Sequence, residues 1–207
     1  MPLQNRVTPE GELIATEARG TLMGNRGGAI HNEHRQIVRP FKSRQWITCV
    51  LQFKDRRRVV MTPRLYTELF FLDEATAFAA GHRPCAECRR ADFLKFLSVW
   101  PGRVAGERLY VDAMDRVLHA ERMDADGSKA TYREPLELLP DGTFVRQEGG
   151  LYLVRGDSLL EWSPSGYVGR RARRSGETAE VLTPWSMVAC FRSGYAPGVH
   201  SSAALLA

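Results

Sequence analysis

The apolar positions of this chain change period several times, and each period predicts an element. Trp46-Ile-Thr-Cys-Val-Leu-Gln-Phe53 is rich in β-branched and aromatic residues. Joined by the basic turn Lys54–Arg58 to Val59-Val-Met61, it predicts a hairpin. Thr62-Pro63 has the chemistry of a helix start, and Leu65, Leu69 and Leu72 follow at helical spacing. Asp73 supplies an N-cap carboxylate for the alanine-rich run Glu74–Ala80, and Gly81 stops it. Phe93, Leu94, Phe96, Leu97 and Trp100 recur every three or four residues, so a second helix is expected from Cys88 to Trp100, ended by Pro101-Gly102.

A further helix is expected over residues 107–123, with Tyr110, Met114, Val117 and Leu118 on one face. Beyond Pro140-Asp141-Gly142 the pattern turns to β. Thr143-Phe-Val145, Leu151-Tyr-Leu-Val154 and Leu159-Leu-Glu-Trp162 are separated by Gly149-Gly150 and Gly156-Asp157, which predicts an antiparallel meander. Arg170-Arg-Ala-Arg-Arg174 reads as a loop, and Glu180-Val-Leu182 as a strand leading through Thr183-Pro184 into a helix that ends at Gly194. Residues 1–20 are polar without a sustained period and predict a loosely held arm. Met23-Gly-Asn-Arg-Gly-Gly-Ala-Ile-His31 is glycine-dense, which suits turns or a backbone that passes close to a neighbour. The expected fold class is α+β: a zinc-stabilised α/β portion over residues 1–102, and over residues 103–207 a helix with a small antiparallel β unit packed against it.

Composition narrows the function. At 207 residues with 43% hydrophobic positions, the chain can bury a core without disulfides. No apolar run approaches a membrane span and no signal pattern opens the sequence, so a soluble, cytoplasmic protein is expected. Of its 29 basic residues only four are lysine. From Arg35 to Arg64 nine basic residues face one acid, Asp55, the kind of cluster a phosphate-binding face requires.

Four cysteines, Cys49, Cys85, Cys88 and Cys190, are too few and too unevenly spaced for a disulfide framework. Cys85 and Cys88 form a Cys-x-x-Cys turn, which sets two sulfurs close together, and thiolates are ligands that Zn²⁺ prefers. Arg83, Arg89 and Arg90, with the start of the next helix, favour the thiolates. A redox pair is the competitor, but redox turns of this type follow a strand, whereas here the pair joins two expected helices. Cys49 and His31 are chosen to complete the zinc sphere, with His34, His82 and Cys190 as alternatives; a core role suits Cys190 and Cys49 as well.

Phe70-Phe-Leu-Asp-Glu-Ala-Thr-Ala-Phe-Ala-Ala-Gly-His-Arg-Pro-Cys-Ala-Glu-Cys-Arg-Arg90 resembles the second half of the zinc-binding domain of the Ada DNA-methylation repair protein. There an aromatic strand end, an alanine-rich helix and a Gly-aromatic-Arg-Pro-Cys-x-x-Cys turn occur in the same order. The resemblance covers about twenty of the 207 residues. It implies a zinc-stabilised α/β module that touches DNA backbone. The family draws its other two ligands from an upstream Cys-x-x-x-Cys pair, one of which accepts a methyl group. This chain has no such pair, so the resemblance does not carry methyl-acceptor activity over.

The sequence contains no Walker loop, Gly-x-Ser-x-Gly elbow, His-Glu-x-x-His or Rossmann fingerprint. Asp115 and His119, one helical turn apart with Asp112, Glu121 and Lys129 nearby, are the candidate catalytic pair. The leading expectation is a zinc-binding protein that contacts nucleic acid, DNA ahead of RNA, through Arg44, Lys54, Arg56, Arg57, Arg58, Arg83, Arg89 and Arg90. A metal-dependent nuclease using His119 and Asp115 is one alternative. The other is a protein-interaction module with structural zinc and an exposed Trp162 and Tyr167.

Overall fold

The computed structural model describes residues 1–54, 59–103 and 110–206. Its fold is α+β, built on two six-stranded sheets. The first sheet uses β1 (Gln4–Val7), β2 (Leu13–Ala15), β3 (Leu22–Arg26), β4 (Trp46–Cys49), β5 (Leu69–Phe71) and, after helix α1 (Glu74–Ala79), the short β6 (Arg83–Pro84). The order across it is β2-β1-β5-β3-β4-β6. It is mixed: β1 runs parallel to β5 and β4 parallel to β6, while the other pairs are antiparallel.

Helices α2 (Arg90–Ser98) and α3 (Val111–Arg122) follow. The second sheet comprises β7 (Tyr132–Pro135), β8 (Phe144–Gln147), β9 (Gly150–Arg155), β10 (Ser158–Ser163), β11 (Gly166–Ala172) and β12 (Thr178–Val181). It is antiparallel throughout, in the order β11-β10-β9-β8-β12-β7. Helix α4 (Trp185–Arg192) and a 3₁₀ turn over Ser201–Leu206 close the chain. No helix among the described residues is long and apolar enough to cross a membrane.

The alanine content of α1 has a packing reason. Every residue of α1 is buried, because three layers press on it. Ala77 and Ala80 meet the first sheet with Val7, Ile30, Leu69 and Phe71. Ala75 and Ala79 meet the second sheet with Phe144, Leu153 and Leu160. Phe78 enters an aromatic cluster with Phe96, Phe191 and Tyr195. Methyl side chains at these positions let both sheets approach closely, and alanine is also the strongest helix former.

Both ends of α1 are fixed by specific groups. The Asp73 carboxylate caps Thr76 N–H at 2.8 Å and also accepts from the Tyr167 hydroxyl and the His200 N–H. At the far end Gly81 takes φ 82°, and an added Cβ there would lie 2.4 Å from Cδ of Arg122. Glycine therefore serves both as helix stop and as the floor on which Arg122 lies.

Five local expectations are corrected. The Cys85–Cys88 turn does not join two helices: β6 precedes it and α2 follows, so its place in the chain does not set it apart from a redox pair. The first twenty residues carry β1 and β2, because Asn5 and Val7 point inward and Arg6 stacks over Phe70 at 4.8 Å. β4 makes no hairpin with residues 59–61; its neighbours are β3 and β6. The helical spacing of Leu65, Leu69 and Leu72 belongs to a strand, β5, held between β1 and β3. The arginine-rich stretch from residue 170 continues β11 as far as Ala172 rather than starting a loop.

Candidate metal centre

Strands β4 and β6 lie parallel, with Ile47 opposite Arg83 and Thr48 opposite Pro84. The next residues, Cys49 and Cys85, therefore lie at the same end of the two strands, and Cys85 N–H donates to Thr48 O at 2.9 Å. The following turn returns Cys88 to the same place as α2 begins. The three Sγ atoms lie within 4.8 Å of one another. Thiolates sharing one tetrahedral ion at about 2.3 Å stand roughly 3.8 Å apart, so this donor set fits zinc with small side-chain movement. Three thiolates also select a soft or borderline ion over calcium or magnesium.

The turn prepares one of the thiols. Cys85 is pulled down to about 5, first by the hydrogen bond from the Cys49 thiol and further by backbone N–H groups, among them Glu87 N–H at 3.4 Å. Cys49 is pushed up because its own proton is held in the bond to Cys85, with burial adding to it. Burial also raises Cys88. A metal bound there would displace the remaining thiol protons.

Two arginines hold the elements that carry the cysteines. Arg89, next to Cys88, donates to Thr48 Oγ1 at 2.7 Å, to Glu74 Oε1 at 2.6 Å and to Asp92 Oδ2 at 2.8 Å. It therefore ties β4, α1 and α2 together. Arg83 makes a two-pronged pair with Asp115 at 2.8 and 2.9 Å, which fixes β6 to α3. These two residues, expected to contact phosphate, are 8% and 4% exposed and spend their charge inside the protein. Arg44, Lys54 and Arg90 are exposed, while Arg56, Arg57 and Arg58 lie outside the described residues.

The structure brings Cys49 to the Cys85–Cys88 turn and leaves His31 out. His31 Nδ1 lies 2.6 Å from Thr67 Oγ1, and its Nε2 lies 3.2 Å from Thr62 O. The physical reason is β5, which begins two residues after Thr67 and holds that loop against Ile30-His31. His34 is exposed, Cys190 is a core residue among Phe78 and Met187, and His82 sits in an aromatic nest 4.7 Å from Phe71 and 5.0 Å from Trp46. Among the described residues no histidine or carboxylate joins the three sulfurs.

Beside the sulfurs is a cavity of about 400 Å³. Met23, Ile47, Phe53 and Phe70 give it apolar walls, and buried Glu68 stands in the lining with Oε2 accepting Met61 N–H at 2.8 Å. These residues carry no motif. Their only signal in the sequence is alternation: Met23 faces Cys49 in the β3–β4 ladder, with Ile47 two positions before it.

The expected catalytic pair separates. Asp115 faces inward and both of its oxygens are taken by Arg83, while His119 Nδ1 accepts from Arg122 at 3.0 Å and its ring meets Phe41 at 4.9 Å. Glu121 is bound to Ser186 through N–H and hydroxyl. Trp162 and Tyr167 are not a free aromatic surface either: Trp162 donates to Thr76 Oγ1, and Tyr167 is 4% exposed. Comparison of the chain with protein-family models, with curated proteins and with solved structures finds no match.

Proposed function

We propose that this is a zinc-thiolate protein whose Cys49, Cys85 and Cys88 hold one ion and leave its fourth position to a ligand from the adjoining cavity. One observation carries the reading: three sulfurs converge beside a cavity of about 400 Å³ with no fourth described protein ligand. Structural zinc sites are closed by four protein ligands, whereas sites that act on a ligand keep a position open. Bound there, zinc would supply Lewis acidity and hold thiolates as nucleophiles at neutral pH. The chain's own contributions are distinct. Cys85 gives the first thiolate, Arg89 and Arg83 fix the spacing, Phe53 and Phe70 keep water from the apolar wall, and Glu68 offers a buried carboxylate.

The likeness of residues 70–90 to the Ada zinc module supports zinc as the ion. The departure supports the open position, since the residues four before and four after Cys49 are Gln45 and Phe53, not a second cysteine. Cobalt substitution tests the reading. The expected spectrum has sulfur-to-cobalt charge-transfer bands, and its d–d bands shift when a small thiol is added. A tetrahedral spectrum that ignores added ligands would show a closed site and defeat it.

A second reading, contact with nucleic-acid phosphates, is favoured by one specific feature. Arg35, Arg39, Lys42 and Arg44 are exposed on the single connection from β3 to β4, and none makes an ion pair among the described residues. Four phosphate contacts give a log–log salt slope of about 3 to 4 for DNA. Binding that is insensitive to salt, or unchanged when all four become serine, would rule this surface out.

A further inference from the structure

Strands β3 and β4 have a second face, which carries buried positive charge. Arg26 and Trp46 are direct partners in the ladder, and the Arg26 guanidinium lies 4.1 Å from the indole. Arg122, from α3, lies 4.0 Å from the same ring. The two arginines are 3% and 2% exposed. Lys129 joins them, its Nζ donating to Ala79 O at 2.6 Å. All three side chains line one cavity of about 500 Å³.

None of the three makes an ion pair among the described residues. Arg26 donates to the backbone carbonyls of Gly11 and Pro40, and Arg122 to those of Gly81 and Arg44 and to His119. Carbonyls satisfy N–H groups but cancel no charge. The Nε atoms of both arginines are buried without any partner. The nearby acids are committed elsewhere: Asp115 to Arg83, and Glu10 to Arg146, which Glu180 also pairs. Glu10 and Glu12 are both on the cavity wall, Glu10 half-buried against Arg146, which lines the cavity as well, and Glu12 exposed. Burial outweighs the attraction of Asp115 and, with repulsion from Arg26 and Arg83, pulls Arg122 down to about 9; burial and the neighbouring arginines likewise pull Lys129 to about 7 against the attraction of Glu10, and burial alone takes Arg26 to about 9.

Burying cations without counter-charge is expensive, and a fold retains them where a ligand supplies the missing charge. The cavity falls within the range of roughly 300 to 1,000 Å³ typical of small-molecule sites. We propose that it binds a small phosphate- or pyrophosphate-bearing molecule, with Arg26, Arg122 and Lys129 as its cations. A single carboxylate would balance one of three charges. A phosphoryl group carries more charge and offers several acceptor oxygens in the geometry that guanidinium groups match. The site uses the face of the sheet opposite the cysteines and does not rest on the zinc reading.

Isothermal titration of the full chain with inorganic pyrophosphate, orthophosphate and acetate at matched ionic strength tests the site. One pyrophosphate per chain is expected, with orthophosphate weaker and acetate silent. Lys129→Met removes one charge-assisted contact and is expected to weaken pyrophosphate at least about tenfold. Arg26→Lys keeps the charge but loses the planar fork, and is expected to weaken it as well. Chelation of a metal by pyrophosphate would be indifferent to Lys129. Absence of saturable binding by either phosphate, or binding unchanged in both variants, would overturn the proposal. So would a single-stranded oligonucleotide that binds in a Lys129-dependent way while pyrophosphate does not, since the cavity would then be a nucleic-acid contact.

Discussion

The two faces of β3 and β4 solve opposite electrostatic problems with alternate residues of the same strands. Met23, Asn25, Ile47 and Cys49 face the cavity beside the three sulfurs, while Arg26 and Trp46 face the cavity lined by buried cations. On the thiol face the polar groups converge on one another, and the elements behind them are held by arginines whose charge is fully paired. On the cation face Arg26, Arg122 and Lys129 crowd together with carbonyls and aromatic rings as their direct partners, and the carboxylates on the cavity wall, Glu10 and Glu12, pair with none of the three. Arginine is the common material, and what distinguishes its roles is whether a carboxylate has been placed opposite it. A paired arginine builds the scaffold; an unpaired one waits for a ligand.

The largest effect should come from breaking the paired set. Arg89→Met leaves Glu74 buried at 8% side-chain exposure without its cation. A loss of about 3 to 5 kcal/mol is expected in urea denaturation, the cost of stranding one member of a buried pair. Arg83→Met, which strands Asp115, belongs to the same class. A loss under about 1 kcal/mol for both would mean that these pairs do not hold the cysteine-bearing elements.

Next in size is an acid limb that belongs to the cation face. His82 is fully buried with neither ring nitrogen bonded, and burial, then Arg26 and Arg122, hold its pKa well below the ordinary 6.5. The folded protein keeps it neutral, while the unfolded chain takes up a proton below 6.5. Stability should therefore fall as pH drops below that value, by about 1.4 kcal/mol per unit, and be untouched by His82 above it. His119, lowered chiefly by burial, adds in the same direction. Denaturation between pH 7 and 5.5 should show the fall in the wild type and a shallower one in His82→Phe; equal slopes would place the protonation elsewhere.

The smallest effect, and the sharpest contrast, is expected at Lys129. Lys129→Met removes a half-buried cation that has the Ala79 carbonyl as its hydrogen-bond partner. Without added phosphate the melting temperature should stay level or rise, unlike the loss at Arg89. A loss as large as that of Arg89→Met would mean that Lys129 is a scaffold residue.

The parts of the fold that were legible in the sequence are those that local chemistry decides. The cap of Asp73, the stop at Gly81 and the glycine turns that join β8, β9 and β10 all act within a few residues. The first sheet is assembled by distant pairings, so its strands carry weak local signals. β5 has leucines at helical spacing and becomes a strand because β1 and β3 flank it. The same division holds for the metal centre. Cys85 and Cys88 announce themselves by spacing, whereas Cys49 joins them through the parallel contact of β4 with β6, which brings residues 36 apart to one strand end. His31 is a metal-ligand type, but Thr67 takes its Nδ1. Burial of Arg26 and Arg122 had no sequence signal, because arginine is ordinarily a surface residue.

On the proposed reading, Cys49, Cys85 and Cys88 hold one zinc ion together. Elemental analysis of protein purified without a histidine tag, beside Cys49→Ser and the Cys85→Ser/Cys88→Ser pair, tests it most directly. About one zinc per wild-type chain is expected, with weakened retention in Cys49→Ser and none in the double variant. A wild-type chain with no bound metal after zinc reconstitution, and with all three thiols freely titratable, would contradict it.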